Sequence, residues 1–220
     1  MQGDRTGDVS LLDLGKKWLK KRFNKPGNVF LGLVHRLDRP VAGVVLFART
    51  SKAASRLSQQ FRERSVEKQY LAVVPGLMPK ESDRLEHYLE RHHRSCRVVE
   101  KRTRRSQKAI LYYRVLDKIG KNSLVQIRLE TGRRHQIRVQ LAHIGHPLLG
   151  DMKYGTEGPF SNGQIALLAR KLTVTHPTLE TRISFLSPLP ASWPWKDEGE
   201  AGAVRPPWTW QTFREKCEGL

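Results

Sequence analysis

The sequence predicts an α+β fold, on three observations. Stretches of period-two and period-3.6 hydrophobicity follow one another without regular βαβ alternation. The longest uninterrupted apolar run, Val41 to Ala48, has eight residues, far short of a membrane span. The 220 residues are 38% hydrophobic with mean hydropathy −0.55, enough for a packed core and too apolar for a disordered chain.

Residues 9–22 read as an amphipathic helix, with Leu11, Leu12, Leu14, Trp18 and Leu19 apolar and five lysines or arginines opposite. Asn24-Lys25-Pro26-Gly27-Asn28 breaks it. Strands are expected at Val29–Val34 and Gly43–Arg49, with His35-Arg36-Leu37-Asp38-Arg39-Pro40 between them. Pro40 disfavours helix at Arg39 and puts Asp38 on a loop or turn. Ser51 is a good N-cap for a helix through about Arg64. A strand at Val66–Val74 is closed by Pro75-Gly76.

Residues 91–108 are the most basic window, with eight lysines and arginines against Glu100, and read as an exposed hairpin. Strands at Ala109–Leu116 and Leu124–Glu130 alternate well enough to pair. Residues 135–145 suit a helix with Ile137, Leu141 and Ile144 on one face, and Arg134 and Arg138 sharing another. Short strands are expected at Ile165–Thr175 and Arg182–Phe185, then an irregular tail, residues 190–220. There is no internal repeat, and the whole chain is read as a single domain.

Forty lysines and arginines against 21 acids give a net charge of +19 and a pI near 10.4. Such an excess points to a polyanion, because neutralising phosphates and releasing counterions dominates nucleic-acid affinity. The basic residues are spread through the chain and not confined to one helix or tail, which argues against a membrane-surface anchor. Cys96 and Cys217 match no zinc or redox spacing, and the N-terminus has no apolar signal region. A soluble, cytoplasmic protein with free thiols is expected.

Against this background Asp38 stands out. An Asp before Arg-Pro is most simply a turn former. A carboxylate among Arg36 and Arg39 in a polyanion-binding chain repels phosphates, however, and is better explained by chemistry than by grip. Arg133 and Arg134 read as phosphate contacts. Arg138, set beside a carboxylate, would stabilise its ionised form, as a carboxylate nucleophile requires. Tyr70 shares a strand face with Lys68 and Ala72. It is either a core residue or a ring that stacks on a base taken out of RNA. His87, His92, His93, His135, His143, His146 and His176 form no metal-ligand pattern, and no phosphate-cradling glycine loop, Gly-x-Ser-x-Gly or dinucleotide fingerprint is present. Chemistry without metal or cofactor is expected.

Several of these stretches together resemble the RluA family of pseudouridine synthases, over residues 10–189. The resemblance rests on His35-Arg36-Leu37-Asp38 followed by Gly43, and on Glu67-Lys68-Gln69-Tyr70-Leu71-Ala72. Thr131-Gly132-Arg133-Arg134-His135-Gln136-Ile137-Arg138, Gly145-His146-Pro147-Leu148-Leu149-Gly150-Asp151 and the strand from Leu172 to Pro177 complete it. It implies a mostly antiparallel mixed sheet with flanking helices, a basic RNA-binding cleft, and isomerisation of uridine to pseudouridine without cofactor.

By motif position Asp38 matches the catalytic aspartate, Tyr70 the residue that stacks on the target base and assists proton removal, and Arg138 the arginine paired with the aspartate. His35, Arg36, Arg133 and Arg134 fall in the substrate-binding motifs, and Leu167 matches the apolar residue beside the base. The 91–108 window, with Arg102, Arg104 and Arg105, takes the place of a loop that closes on RNA.

The chain departs from the family pattern at Val41-Ala42, often Thr-Ser, and at Leu168, often His. The family's first strand, with its Lys-Pro-x-Gly element, and an S4-type RNA-binding domain are both expected to be missing. A ribosomal or transfer RNA stem-loop is the expected partner of a monomer. Two rivals stand beside this reading. One is a catalytically silent RNA-binding or ribosome-assembly protein on the same fold. The other is a metal-dependent nuclease, for which no further acids lie near the motifs.

Overall fold

The computed structural model describes residues 9–156, 158, 160 and 163–194. Among these, two compact bodies are formed, one by residues 9–39, 44–67 and 172–186 and the other by described residues of 40–43, 68–171 and 187–194.

The first body is assembled from short pieces. Helix α1 (Leu11–Arg22) starts at Ser10, whose hydroxyl accepts the Asp13 N–H at 3.2 Å and donates to the Asp13 carboxylate at 2.6 Å. Of its expected apolar face only Leu19 is buried, while Leu11, Leu14 and Trp18 are exposed. The strand expected at Val29–Val34 shortens to β1 (Gly32–Leu33), and that at Gly43–Arg49 splits into β2 (Ala42–Gly43) and β3 (Phe47–Ala48). β1 and β3 pair as an antiparallel ribbon, whereas β2 belongs to the second body and pairs in parallel with β9.

One continuous strand was the wrong expectation, because Gly43 turns the backbone at φ +124. Helix α2 (Ser51–Glu63) is capped by Thr50, not by Ser51: the Thr50 hydroxyl accepts the Ala53 N–H at 3.1 Å. A cluster of Ala48, Leu57, Val66, Leu172 and Val174 closes this body.

The second body is a sheet. β4 (Glu67–Pro75), β5 (Ser82–His92), β6 (Ser95–Val99), β7 (Ser106–Ile119) and β8 (Asn122–Leu129) pair antiparallel in the order β4-β8-β7-β5-β6. β9 (Leu167–Thr175) runs beside β4, and its far end, with β10 (Arg182–Leu186), belongs to the first body. Helix α3 (Gln136–His143) packs Ile137 and Leu141 into a core with Ala72, Leu85, Leu111, Tyr113, Ile127, Leu148 and Leu167.

β5 was not expected. Its Leu, Glu and Arg residues favour helix, and its buried Leu85 and Leu89 stand four apart, a spacing a helix also produces. Pairing on both edges, with β6 and β7, overrides that local preference. The basic window is accordingly the end of β5, all of β6, a loop and the start of β7.

Candidate active site

Arg138 anchors the site of the second body. Its guanidinium, with a side chain 6% exposed, donates from Nε to Asp151 Oδ2 and from Nη2 to Asp151 Oδ1, both at 2.7 Å. The Asp151 side chain is fully buried. Such fork-to-fork geometry fixes the plane of the guanidinium as well as its place. Asp151 itself is tied into a turn, its carbonyl accepting the N–H groups of Tyr154 and Gly155 at 3.0 and 3.1 Å and its Oδ1 the Lys153 N–H at 3.2 Å. The Tyr154 ring lies 5.1 Å from Arg138 Cζ, within cation–π range.

The approach to α3 is equally determined. Thr131 Oγ1 accepts the Ile110 N–H and donates to Gln136 Oε1, both at 2.8 Å. Gln136 Oε1 also accepts the Arg133 N–H at 3.0 Å, while its Nε2 donates to the Ile110 carbonyl at 3.0 Å. This polar lock stitches the Thr131–Arg138 motif to β7. His135, with φ +54, turns the chain into the helix.

The two arginines before it stay at the surface. Arg133 Nε donates to the Lys108 carbonyl at 3.1 Å and Arg134 Nη2 to the Arg94 carbonyl at 3.2 Å. Arg134 therefore precedes α3, and the expectation that it shares a helix face with Arg138 fails. The helix begins at Gln136, two residues beyond Arg134.

Tyr70 lies in β4 opposite Ile127, half-buried against the core that contains Leu167, itself 4% exposed. The second body thus brings Tyr70, Leu167 and the helix bearing Arg138 around one core. Arg102, Arg104 and Arg105 are exposed on the loop between β6 and β7, where the Thr103 hydroxyl accepts the Arg105 and Ser106 N–H groups.

Asp38 belongs to the first body, half-buried on the loop after β1, as the sequence predicts. His35 organises that loop: its Nε2 accepts the Leu46 N–H at 2.8 Å, and its ring stacks on Phe61 at 4.8 Å. An accepting Nε2 leaves the ring proton on Nδ1. Arg36 is exposed beside it. Among the described residues no group of three or more His, Cys, Asp or Glu side chains is disposed to hold a metal ion.

A sequence profile described as RNA pseudouridylate synthase matches residues 4–143. The chain belongs to that family. It is 38% identical to the ribosomal large subunit pseudouridine synthase D of Nitrosomonas europaea over 72% of this chain and 48% of the relative. It is 35% identical to the tRNA pseudouridine synthase C of Haemophilus ducreyi over 73% of each chain. Among solved structures, Human RNA Pseudouridylate Synthase Domain Containing 4 superposes with a TM-score of 0.72 at 25% identity, covering 84% of this chain and 81% of that one. The chain spans about half the length of most of the curated relatives it matches.

Family membership gives the departures a physical reading. Val41 packs against the Leu111 core, and Ala42 and Leu168 against the cluster of Leu71, Val73, Leu124 and Trp193. The positions where the resemblance leads one to expect hydroxyls or an imidazole are used here for packing. Gly43 admits no side chain: a Cβ would meet the Ala169 carbonyl oxygen and stand 2.6 Å from its nitrogen. Asp151 and Tyr154 are the residues sequence reasoning missed. The argument that isolates Asp38, an acid kept in a strongly basic chain, applies equally to Asp151 at the end of a family motif.

Proposed function

We propose that this chain isomerises uridine to pseudouridine in structured RNA, a stem-loop of ribosomal or transfer RNA, as a cytoplasmic monomer without metal or cofactor. RNA docks on the basic surface, and the target uridine leaves its stack at a cost of a few kcal/mol, offset by stacking on Tyr70 beside Leu167. Asp38 acts as the nucleophile, its ionised form favoured by Arg138, while the bond between sugar and base nitrogen breaks. The uracil turns within the pocket, and a ring carbon bonds to the same sugar carbon, displacing the Asp38 carboxylate. That ring carbon loses its proton, with Tyr70 assisting, and the released nitrogen gains one, so the atoms balance.

One observation carries this reading over that of a silent RNA binder. Arg138 is 5% exposed and clamped by a buried carboxylate. Arginines that only grip phosphate need solvent access, and burying a charged pair is costly unless its geometry is needed. The names of the relatives support both ribosomal and transfer RNA as the substrate class.

The test uses total RNA from cells lacking the protein, treated with wild type or Asp38→Asn and mapped by carbodiimide-adduct primer extension. New stops are expected with wild type alone, the variant losing more than ~10³-fold in rate. Its RNA affinity is expected to be equal or higher, because one repulsive charge is gone. Intact binding without stops from wild type would give first place to the silent RNA-binding reading.

A further inference from the structure

Tyr154 has no part in the steps proposed above, yet separate elements of the second body converge on it. Its hydroxyl accepts the Cys96 N–H of β6 at 2.9 Å and lies 2.7 Å from His135 Nδ1. Its ring meets both His135, edge-on at 5.8 Å, and the Arg138 guanidinium. Its own N–H belongs to the turn that holds Asp151. Burial pushes the phenol up to about 12, so its proton is retained at neutral pH. The oxygen accepts the Cys96 N–H and shares a second hydrogen bond with His135 Nδ1.

That bond reaches a strained residue. His135 is a non-glycine in the left-handed region and directly precedes α3, and no side chain caps the helix there. A tyrosine that merely filled space would need only its ring. Here the hydroxyl makes two hydrogen bonds, to different elements.

We propose that Tyr154 is a positioning residue for Arg138, tying the guanidinium and the start of α3 to β6 of the basic β5–β6 hairpin. The hairpin side of this link is reinforced at its turn, where Lys153 Nζ and Arg134 Nη2 both donate to the Arg94 carbonyl. The inference rests on the synthase reading for its effect on rate, but not for its effect on Arg138.

The experiment compares wild type with Tyr154→Phe, which keeps the ring and removes both hydroxyl bonds. Two quantities are read: single-turnover pseudouridine formation on a responsive RNA, and solvent exchange of the Arg138 Nε–H, followed by nuclear magnetic resonance and assigned by its loss in Arg138→Lys. The expected rate falls about tenfold, because small misplacements of a catalytic group are costly, while RNA affinity holds within about twofold. Exchange of the Arg138 Nε–H is expected to accelerate by a similar factor in the unliganded protein.

Unchanged exchange would overturn the proposal, as would a rate within about twofold of wild type. Should Tyr154→Phe fold poorly, His135→Asn, which tolerates the left-handed backbone but cannot reproduce the ring contact, takes its place with the same expectations. If wild type forms no pseudouridine, the synthase reading falls while the exchange measurement still decides the positioning role.

Discussion

The loop that carries Asp38 and the pocket that carries Arg138 are built in different ways. The loop follows a two-residue strand, with His35 accepting the Leu46 N–H and stacking on Phe61. The pocket is fixed many times over, by a bidentate ion pair, a polar lock around Gln136, a turn closed on Asp151 and an aromatic ring over the guanidinium. Under the proposed function the contrast has a rationale. A nucleophile must be reached by substrate and adjust as bonds change, and Asp38 is half-buried on a loop. A charge that tunes a nucleophile must not wander, and preorganised electrostatics are most effective where water is excluded and nothing need reorganise.

The largest expected effect attacks the redundant side. Asp151→Ala would leave the Arg138 guanidinium buried without its clamp, which costs roughly 3–5 kcal/mol. Denaturant unfolding should register that loss, and Arg138→Met in the same chain should recover part of it by removing the stranded charge. Failure of the second change to recover stability would mean that the pocket does not depend on the ion pair.

Gly43→Ala comes next. The added methyl meets the Ala169 backbone at a φ of +124, a conformation that L-residues rarely adopt, at a cost of about 1–3 kcal/mol. A thermal midpoint within the error of wild type would show that β2 can retreat from β9.

His35→Phe tests the Asp38 loop. The ring stack on Phe61 survives, but the Leu46 N–H loses its acceptor, for about 1–3 kcal/mol if that amide stays dry. If His35 holds the loop through this bond, turnover should fall with stability; a stability loss with undiminished turnover would uncouple His35 from the Asp38 loop.

The smallest effect is a pH dependence in the second body. Burial, with the His143 ring beside it, lowers the pKa of His87, whose Nδ1 faces the amide nitrogen of Gln140 at 3.0 Å. The unfolded chain takes up this proton near pH 6.5 before the folded chain does, so stability is present above that value and declines as pH falls through it. His87→Gln should flatten that acid limb in thermal melts; an unchanged limb would assign it elsewhere.

How much of this could be read from sequence follows the same contrast. The elements that carry their own signals were legible. α1 has amphipathic periodicity, β7 and β8 alternate well enough to pair, and the Asp38 turn has Pro40. β5 was invisible because its composition favours helix and only long-range pairing makes it a strand. The split of the Gly43–Arg49 stretch hung on one glycine. At the site, the sequence motifs named Arg138 but not its clamp, because Asp151 and Tyr154 lie 13 and more residues away and meet it only through the turn after Leu148.

Cys96 turns the hairpin into something that can be timed. Its side chain faces inward from β6, 7% exposed, beside Leu89, Ala109 and Val139. A thiol reagent can reach it only when β6 lifts, so in a chain carrying Cys217→Ser the labelling half-time becomes a clock for hairpin opening. Run with and without an RNA stem-loop, that clock would report whether RNA slows the opening of the hairpin, with no need for any modified base to form.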